Sequence, residues 1–266
     1  KIVNINYIKK KFTNISNELS FFLKNKYFIL ISIKHAIKGE KIFDISSPSI
    51  GHYPVDLYLA SKIYGKKSIF VFNPETNFSN TYLVKKISEN YNVKNHYIHL
   101  IKVQKKLNYL LKYFTNIFST QPPGILHMTE KHNYAQCFDG KSKIFDFNNI
   151  ENEEGLSFLK KHNIKKEKYI CFIVRSAEYY ISTNRQEREK SYSYRNVNPE
   201  NYIPTLEYLI KNGYKIIRMG KGVKTKFPYE NKNFIDYATS EDRSDFLDIW
   251  LSAHCKFFLS KIKLGT

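Results

Sequence analysis

The sequence predicts an α/β protein of two Rossmann-like domains facing a cleft, with the second domain incomplete. Three observations predict it. Short apolar runs alternate with segments of helical period along the chain. Two of those runs, 168–175 and 214–219, end in Arg175 and in Arg218-Met219-Gly220, and a helix-forming stretch lies between them. A Pro- and Gly-bearing crossing that begins at Thr120-Gln121-Pro122-Pro123-Gly124 divides the rhythm in two. The expected boundaries are an N-terminal helical segment at 1–25, a first domain at 26–150 and a second at 165–266.

Apolar positions at Tyr7, Ile8, Phe12, Ile15, Leu19 and Phe22 have helical spacing. A helix packed on the protein is the preferred reading, and a membrane-surface helix the alternative. Tyr27–Ile33 and Lys41–Ser46 are expected as strands. A glycine loop, Ser47 to Pro54, then leads into a helix at Val55–Tyr64 that stops at Gly65, and a strand at Lys67–Phe72 follows. Strand, glycine loop, helix, strand places Gly51 where such folds meet a ligand. Helices are expected at Thr81–Glu89 and Val103–Phe118, with a strand at Lys94–Leu100 between them, and a weak helix at Glu154–Lys161.

The second domain opens on the strand 168–175, followed by a polar loop, the helix beginning Pro199-Glu200-Asn201-Tyr202 and the strand ending at Gly220. Beyond it come a short strand at Asn233–Tyr237, a helix at Arg243–Ala253 capped by Ser240 or Asp242, and a strand through Phe257-Phe258-Leu259. The chain stops soon after that strand, at Leu264-Gly265-Thr266, which reads as a truncated second domain.

Composition narrows the function. The net charge of +19 invites nucleic acid or an anionic surface, but the lysines are scattered and no helix-turn-helix, RRM or zinc-finger pattern is present. A solvated Lys-rich surface is the expectation, with no specific nucleic acid as partner. The six arginines all lie between 175 and 243, in a chain with 37 lysines. Arg is suited to positions where a planar fork must bind phosphate or carboxylate. In an open α/β sheet the ligand sits at the carboxyl ends of the strands, so Arg175 and Arg218 are expected at one anion-binding crevice. Arg185 and Arg188 are read as solvated.

Three widely spaced cysteines, Cys137, Cys171 and Cys255, suggest reduced core thiols and a reducing compartment. No metal-ligand spacing occurs, so no metal is expected.

Several stretches, taken in order, resemble a family of bacterial glycosyltransferases of GT-B-like architecture. They are Ile50-Gly51-His52, CFIVR at 171–175, SYRN at 193–196, GYKIIRMG at 213–220, and IDYATSEDRSDFLDIWLSAHCKFFLS at 235–260. A more distant likeness is to fucosyltransferases. The resemblance implies transfer of a sugar from a nucleotide-sugar donor to a glycan or lipid-linked saccharide in polysaccharide biosynthesis, metal-independent and without a cofactor. It implies a cytoplasmic location, at the inner membrane face if the chain associates peripherally.

On that likeness Arg175 grips the donor pyrophosphate, and Gly265 and Thr266 begin its phosphate loop. Ser176 stands where the family pattern has an acid, and the nearby Glu178 is the candidate replacement. Arg195 and Asn196 lie in a loop long enough to reach the donor, Arg218 and Gly220 end the neighbouring strand, and Arg243 and Ser244 could assist a phosphate. Asp245 shares one helical face with Asp248, a pair expected to cap the helix or bind a nearby Arg. His52 is the candidate base for the acceptor hydroxyl, with Asp56 one turn on to orient or replace it. The alternative class is a non-catalytic protein that binds phosphate or nucleic acid through its basic surface.

Overall fold

The computed structural model describes residues 20–21, 23–45, 50, 53–73, 76, 78–103, 143–175, 177–182, 187, 190, 193 and 196–260. The chain forms two compact units, Lys1–Asp146 and Phe147–Thr266. Both are mixed α/β with parallel strands.

In the first unit, helix α1 (Lys26–Ile37) precedes strand β1 (Lys41–Asp44), helix α2 (Tyr53–Tyr64), strand β2 (Ser68–Val71) and helix α3 (Thr81–Asn90). Strands β1 and β2 pair in parallel from Lys41–Ser68 to Asp44–Val71, joined through α2. Ile42, Ile69, Val71, Leu100 and Ile101 form a buried cluster on which Phe28 and Ile31 pack. The 27–33 run expected as a strand is therefore helical, because its residues 28 and 31, three apart on one helix face, reach that cluster. Ser32 and His35 of α1 are also buried, the latter bonded to Glu40 at 2.5 Å and to Tyr97 at 3.3 Å.

The strand expected at 94–100 is absent. Only Val93 bridges Phe70 in parallel, and the Asn95 side chain then accepts the Phe72 N–H at 3.0 Å. A side-chain oxygen takes the donor that the next ladder rung would have used, and the chain turns into a 3-10 turn at Asn95–Tyr97 followed by helix at 98–103. The helices expected at 7–23 and 103–118 fall almost wholly outside the described residues.

The second unit contains helix α4 (Asn149–Lys161), strand β3 (Tyr169–Ile173), helical turn α5 (Glu178–Ser182), helix α6 (Ile203–Lys211), strand β4 (Lys215–Met219), strand β5 (Phe234–Ile235), helix α7 (Asp245–His254) and strand β6 (Phe258–Ser260). The four strands form one parallel sheet in the order β5-β4-β3-β6. Alternation of side chains along β3 sends Tyr169 and Cys171 to one face and Ile170 and Phe172 to the other. The first face packs on α4 and α7 through Phe158, Leu159, Leu247, Trp250 and Leu251, and the second on α6 through Leu206. Both faces are covered, which explains why β3 reads as an unbroken apolar run.

Helix α4 begins with a reciprocal capping box. Asn148 accepts the Glu151 N–H at 2.9 Å while Glu151 accepts the Asn148 N–H at 2.8 Å. The helix then brings Gly155 against the Trp250 ring so closely that a Cβ there would lie 2.2 Å from two ring carbons.

Candidate functional site

Strand order decides where a ligand would meet the second unit. In chain order the strands run outward from β3 through β4 to β5, and then β6 is added on the other side of β3. The connection after β3 leads to β4 on one side of it, while the last strand, β6, lies on its other side, and such a change of strand order is where open parallel sheets hold their ligands. Arg175 lies two residues beyond β3, at that point. Its guanidinium carbon stands 5.1 Å from the centre of the Tyr180 ring, so the aromatic face of α5 supports the planar fork. Its Nε and Nη2 atoms are shielded from solvent.

The segment after β4 packs on α5, the turn that carries Tyr180. Glu178 accepts the Lys224 N–H at 2.8 Å and the Thr225 N–H at 3.4 Å, and it also takes the Thr225 hydroxyl. Gly222 has φ +70°, and a Cβ at that position would lie 2.4 Å from Ser182 Oγ, so only glycine lets the segment lie against α5. Burial works to raise the Glu178 pKa. The Thr225 hydroxyl, the two amides and the nearby Arg218 charge outweigh it and hold the carboxyl below its usual range. Glu178 is thus an ionised loop clamp. The sequence reading of it as replacement for an acid at 176 meets a carboxylate already committed to residues 224 and 225.

Arg218 has a different role from the ligand predicted for it. The residue is 4% exposed, and its Nη1 donates to the Thr225 carbonyl at 3.1 Å and to both Asp236 oxygens at 3.1 and 3.0 Å. Its guanidinium carbon lies 5.2 Å from the Phe227 ring centre, and Asp236 also accepts the Phe227 N–H at 2.8 Å. Arg218 therefore holds the loop after β4 inside the unit. Asp236 is the carboxylate that Arg218 engages.

The start of α7 is likewise filled from within. Arg243 Nε donates to the Gly220 carbonyl at 3.2 Å, and Nη2 donates to Asp245 at 3.1 Å and to Asp248. Lys221 reaches Asp245 at 2.8 Å. Burial opposes the charge on Arg243, but Asp248 and Asp245 outweigh it and raise its pKa. For Asp248 burial wins over Arg243 and pushes the carboxyl upward.

The helix is capped by Ser244, whose Oγ accepts the Leu247 N–H at 3.1 Å, rather than by Ser240 or Asp242. Asp242 instead pairs with Lys161 at 2.6 Å and His162 at 3.2 Å, and its carboxyl is held below the usual range chiefly by Lys161. A helix N-terminus binds an anion only where its donors and field are open. Here two first-turn carboxylates and a serine occupy the end, so Arg243, Ser244 and Asp245 form a structural cluster rather than the phosphate aid expected of them. The paired-carboxylate reading of Asp245 and Asp248, as partners of a nearby Arg, matches the geometry.

Gly220 follows β4, and a Cβ there would fall 3.0 and 3.3 Å from the Val223 and Ala238 side chains. Asn196 donates its N–H to the Ser193 carbonyl at 2.9 Å. Asp56 lies in the first turn of α2 in the first unit. Gly51, His52, Arg195, Gly265 and Thr266 lie outside the described residues. The sequence reading missed Tyr180, whose signal was an aromatic pair, Tyr179-Tyr180, just beyond Arg175 at the start of a polar loop.

Among the described residues no group of three or more His, Cys, Asp or Glu side chains could hold a metal ion, and no helix is long and apolar enough to cross a membrane. No family model, curated protein or solved structure matches the chain.

Proposed function

We propose that the protein is a GT-B-like glycosyltransferase whose second, Rossmann-like unit holds the diphosphate of a nucleotide-sugar donor at Arg175. The observation that carries this reading is the position of Arg175: it follows the strand beside which the sheet order reverses, and Tyr180 supports its guanidinium. In glycosyl transfer the bond from the anomeric carbon to the diphosphate breaks and negative charge gathers on the leaving group. A fixed cation at that place stabilises the transition state more than the ground state. Arg175 supplies the charge, and the ring under it reduces the reorganisation needed when the charge develops.

In this reading His52 takes the acceptor hydroxyl proton, with Asp56 orienting it, and the acceptor is a glycan or a lipid-linked saccharide. Gly265 and Thr266, which follow β6 in sequence, begin the phosphate loop in this reading.

The test is a thermal-shift titration of the chain with UDP and GDP, repeated for Arg175→Ala. A charge-assisted contact of about 1.5–3 kcal/mol corresponds to roughly 10- to 150-fold in affinity. The expected result is nucleotide-dependent stabilisation in the parent chain, with an apparent affinity lower by that factor in the variant. No nucleotide effect, together with salt-sensitive retention of DNA or RNA, overturns the enzyme reading in favour of a basic binding protein.

A further inference from the structure

The opposite end of the second sheet carries a feature that the crevice does not use. Cys171, fully buried in the middle of β3, and Cys255, half-buried immediately after α7, are both free thiols. Both also point at the last turn of α7. Cys171 Sγ lies 3.5 Å from the Leu251 carbonyl oxygen and Cys255 Sγ lies 3.2 Å from the Ser252 carbonyl oxygen. The adjoining backbone is tied down, since the Lys256 N–H donates to the Tyr169 carbonyl at 2.9 Å. An open cavity of about 430 Å³ adjoins only one of the two thiols. Its lining is Lys166, Glu167, Ala253, His254, Cys255 and Lys256.

The chemistry of this arrangement is asymmetric. A buried thiol and a thiol beside a cavity, both against the same helix turn, make a resolving and an attacking pair. The hydrogen bond from Cys171, helped by backbone N–H groups of residues 171 and 255, outweighs burial and brings the Cys255 pKa down to about 7. The same contact, with burial, pushes Cys171 well up. An attacking thiol exchanges fastest when its pKa is near ambient pH. Two lysines against one glutamate give the cavity mouth a positive balance, which suits a disulfide carrying carboxylates.

We propose that Cys255 and Cys171 form a redox-active dithiol that is oxidised by an acidic low-molecular-weight disulfide entering the cavity beside Cys255. The Cys255 thiolate attacks one sulfur of the small disulfide, forming a mixed disulfide as the original S–S bond breaks and one thiolate leaves. Cys171 then loses its proton to that leaving thiolate, and its sulfur attacks Cys255 Sγ, expelling the second small thiolate, which takes a proton from solvent. The protein pair is oxidised by two electrons and the small disulfide is reduced to two thiols. The product is a bond between β3 and the end of α7.

The test uses the whole chain carrying Cys137→Ser, so that only this pair reacts, and oxidised glutathione as probe. Intact mass is expected to fall by two hydrogens, and peptide mapping to show a Cys171–Cys255 link. Cystamine, a cationic disulfide, is expected to react at least about threefold more slowly. Cys171→Ser is expected to stop at a glutathione adduct on Cys255, whereas Cys255→Ser leaves Cys171 unmodified. A parent chain that keeps both thiols under excess oxidant while folded, or that accumulates a lasting adduct, overturns the proposal. If either serine variant fails to fold, the parent alone decides. Phenylarsine oxide, which bridges close dithiols, should protect both cysteines from iodoacetamide, and unprotected alkylation sinks the idea.

Discussion

Arg218 and Arg175 both follow from the same kind of apolar run, yet their surroundings assign them opposite work. Arg218 is buried against Asp236, the Thr225 carbonyl and the Phe227 ring, so removing it strands a carboxylate in the interior. Breaking such a pair costs about 3–5 kcal/mol. Arg218→Met should therefore lower the unfolding free energy of the second unit, read from urea titration, by that amount, and Arg218→Lys should not fully rescue it, because an ammonium lacks the planar group that lies over the Phe227 ring. Arg175→Ala should stay within about 1 kcal/mol of the parent in the same measurement while losing nucleotide binding. Equal destabilisation by the two variants would place Arg175 in the same structural class as Arg218.

Gly155 poses a question of sign at the same scale. Alanine favours a helix interior over glycine by about 1 kcal/mol, but its Cβ would stand 2.2 Å from the Trp250 ring. Overpacking of about 1–3 kcal/mol wins, so Gly155→Ala is expected to destabilise, with a changed emission spectrum from Trp250, the single tryptophan of the chain. An unchanged or raised midpoint would show that α4 and α7 can part at no cost.

Among the elements, the clamp between α5 and residues 224–225 has a definite pH signature. The Glu178 pKa is lower in the folded chain than unfolded. Its contribution is therefore fully present above the unfolded value, about 4.3, and is lost as pH falls through the folded value. The stability difference between the parent and Glu178→Gln should be constant from neutral pH down to about 5 and should close below about 4. A difference that persists unchanged to pH 3 would show that the carboxylate charge does not hold the loop.

The elements also show what sequence could and could not reveal. Strands β2, β3 and β4 were legible because each is buried and bounded by turn residues. Helix α1 was not, since Tyr27, Leu30 and Ile37 are exposed while Ser32 and His35 are buried, so its apolar pattern does not mark the packed face. Asn95 ended a ladder by a side-chain contact with Phe72 that no local pattern announces. At the site, the place of Arg175 was legible from strand polarity alone. The committed states of Arg218, Arg243 and Glu178 depend on partners 18, 23 and 46 residues away, beyond any local period.

For the whole molecule, the boundary between the units falls at Asp146–Phe147, immediately before the capping box of α4. Everything needed to start the second unit is on its own side: the reciprocal Asn148–Glu151 bonds, the Gly155 contact with Trp250, and the Trp250 Nε1 donation to Asn152 at 3.2 Å. Its sheet is covered on both faces by helices of the same unit. A fragment of residues 147–266 should then unfold cooperatively in urea, with Trp250 fluorescence and far-ultraviolet circular dichroism giving one coincident transition. Asn148→Ala in that fragment should cost about 1 kcal/mol by loss of the cap. If Arg175 holds the donor diphosphate through this unit alone, the fragment should also retain the nucleotide-dependent shift of the intact chain. A fragment that folds but has lost that shift would mean that residues 1–146 supply part of the donor contact.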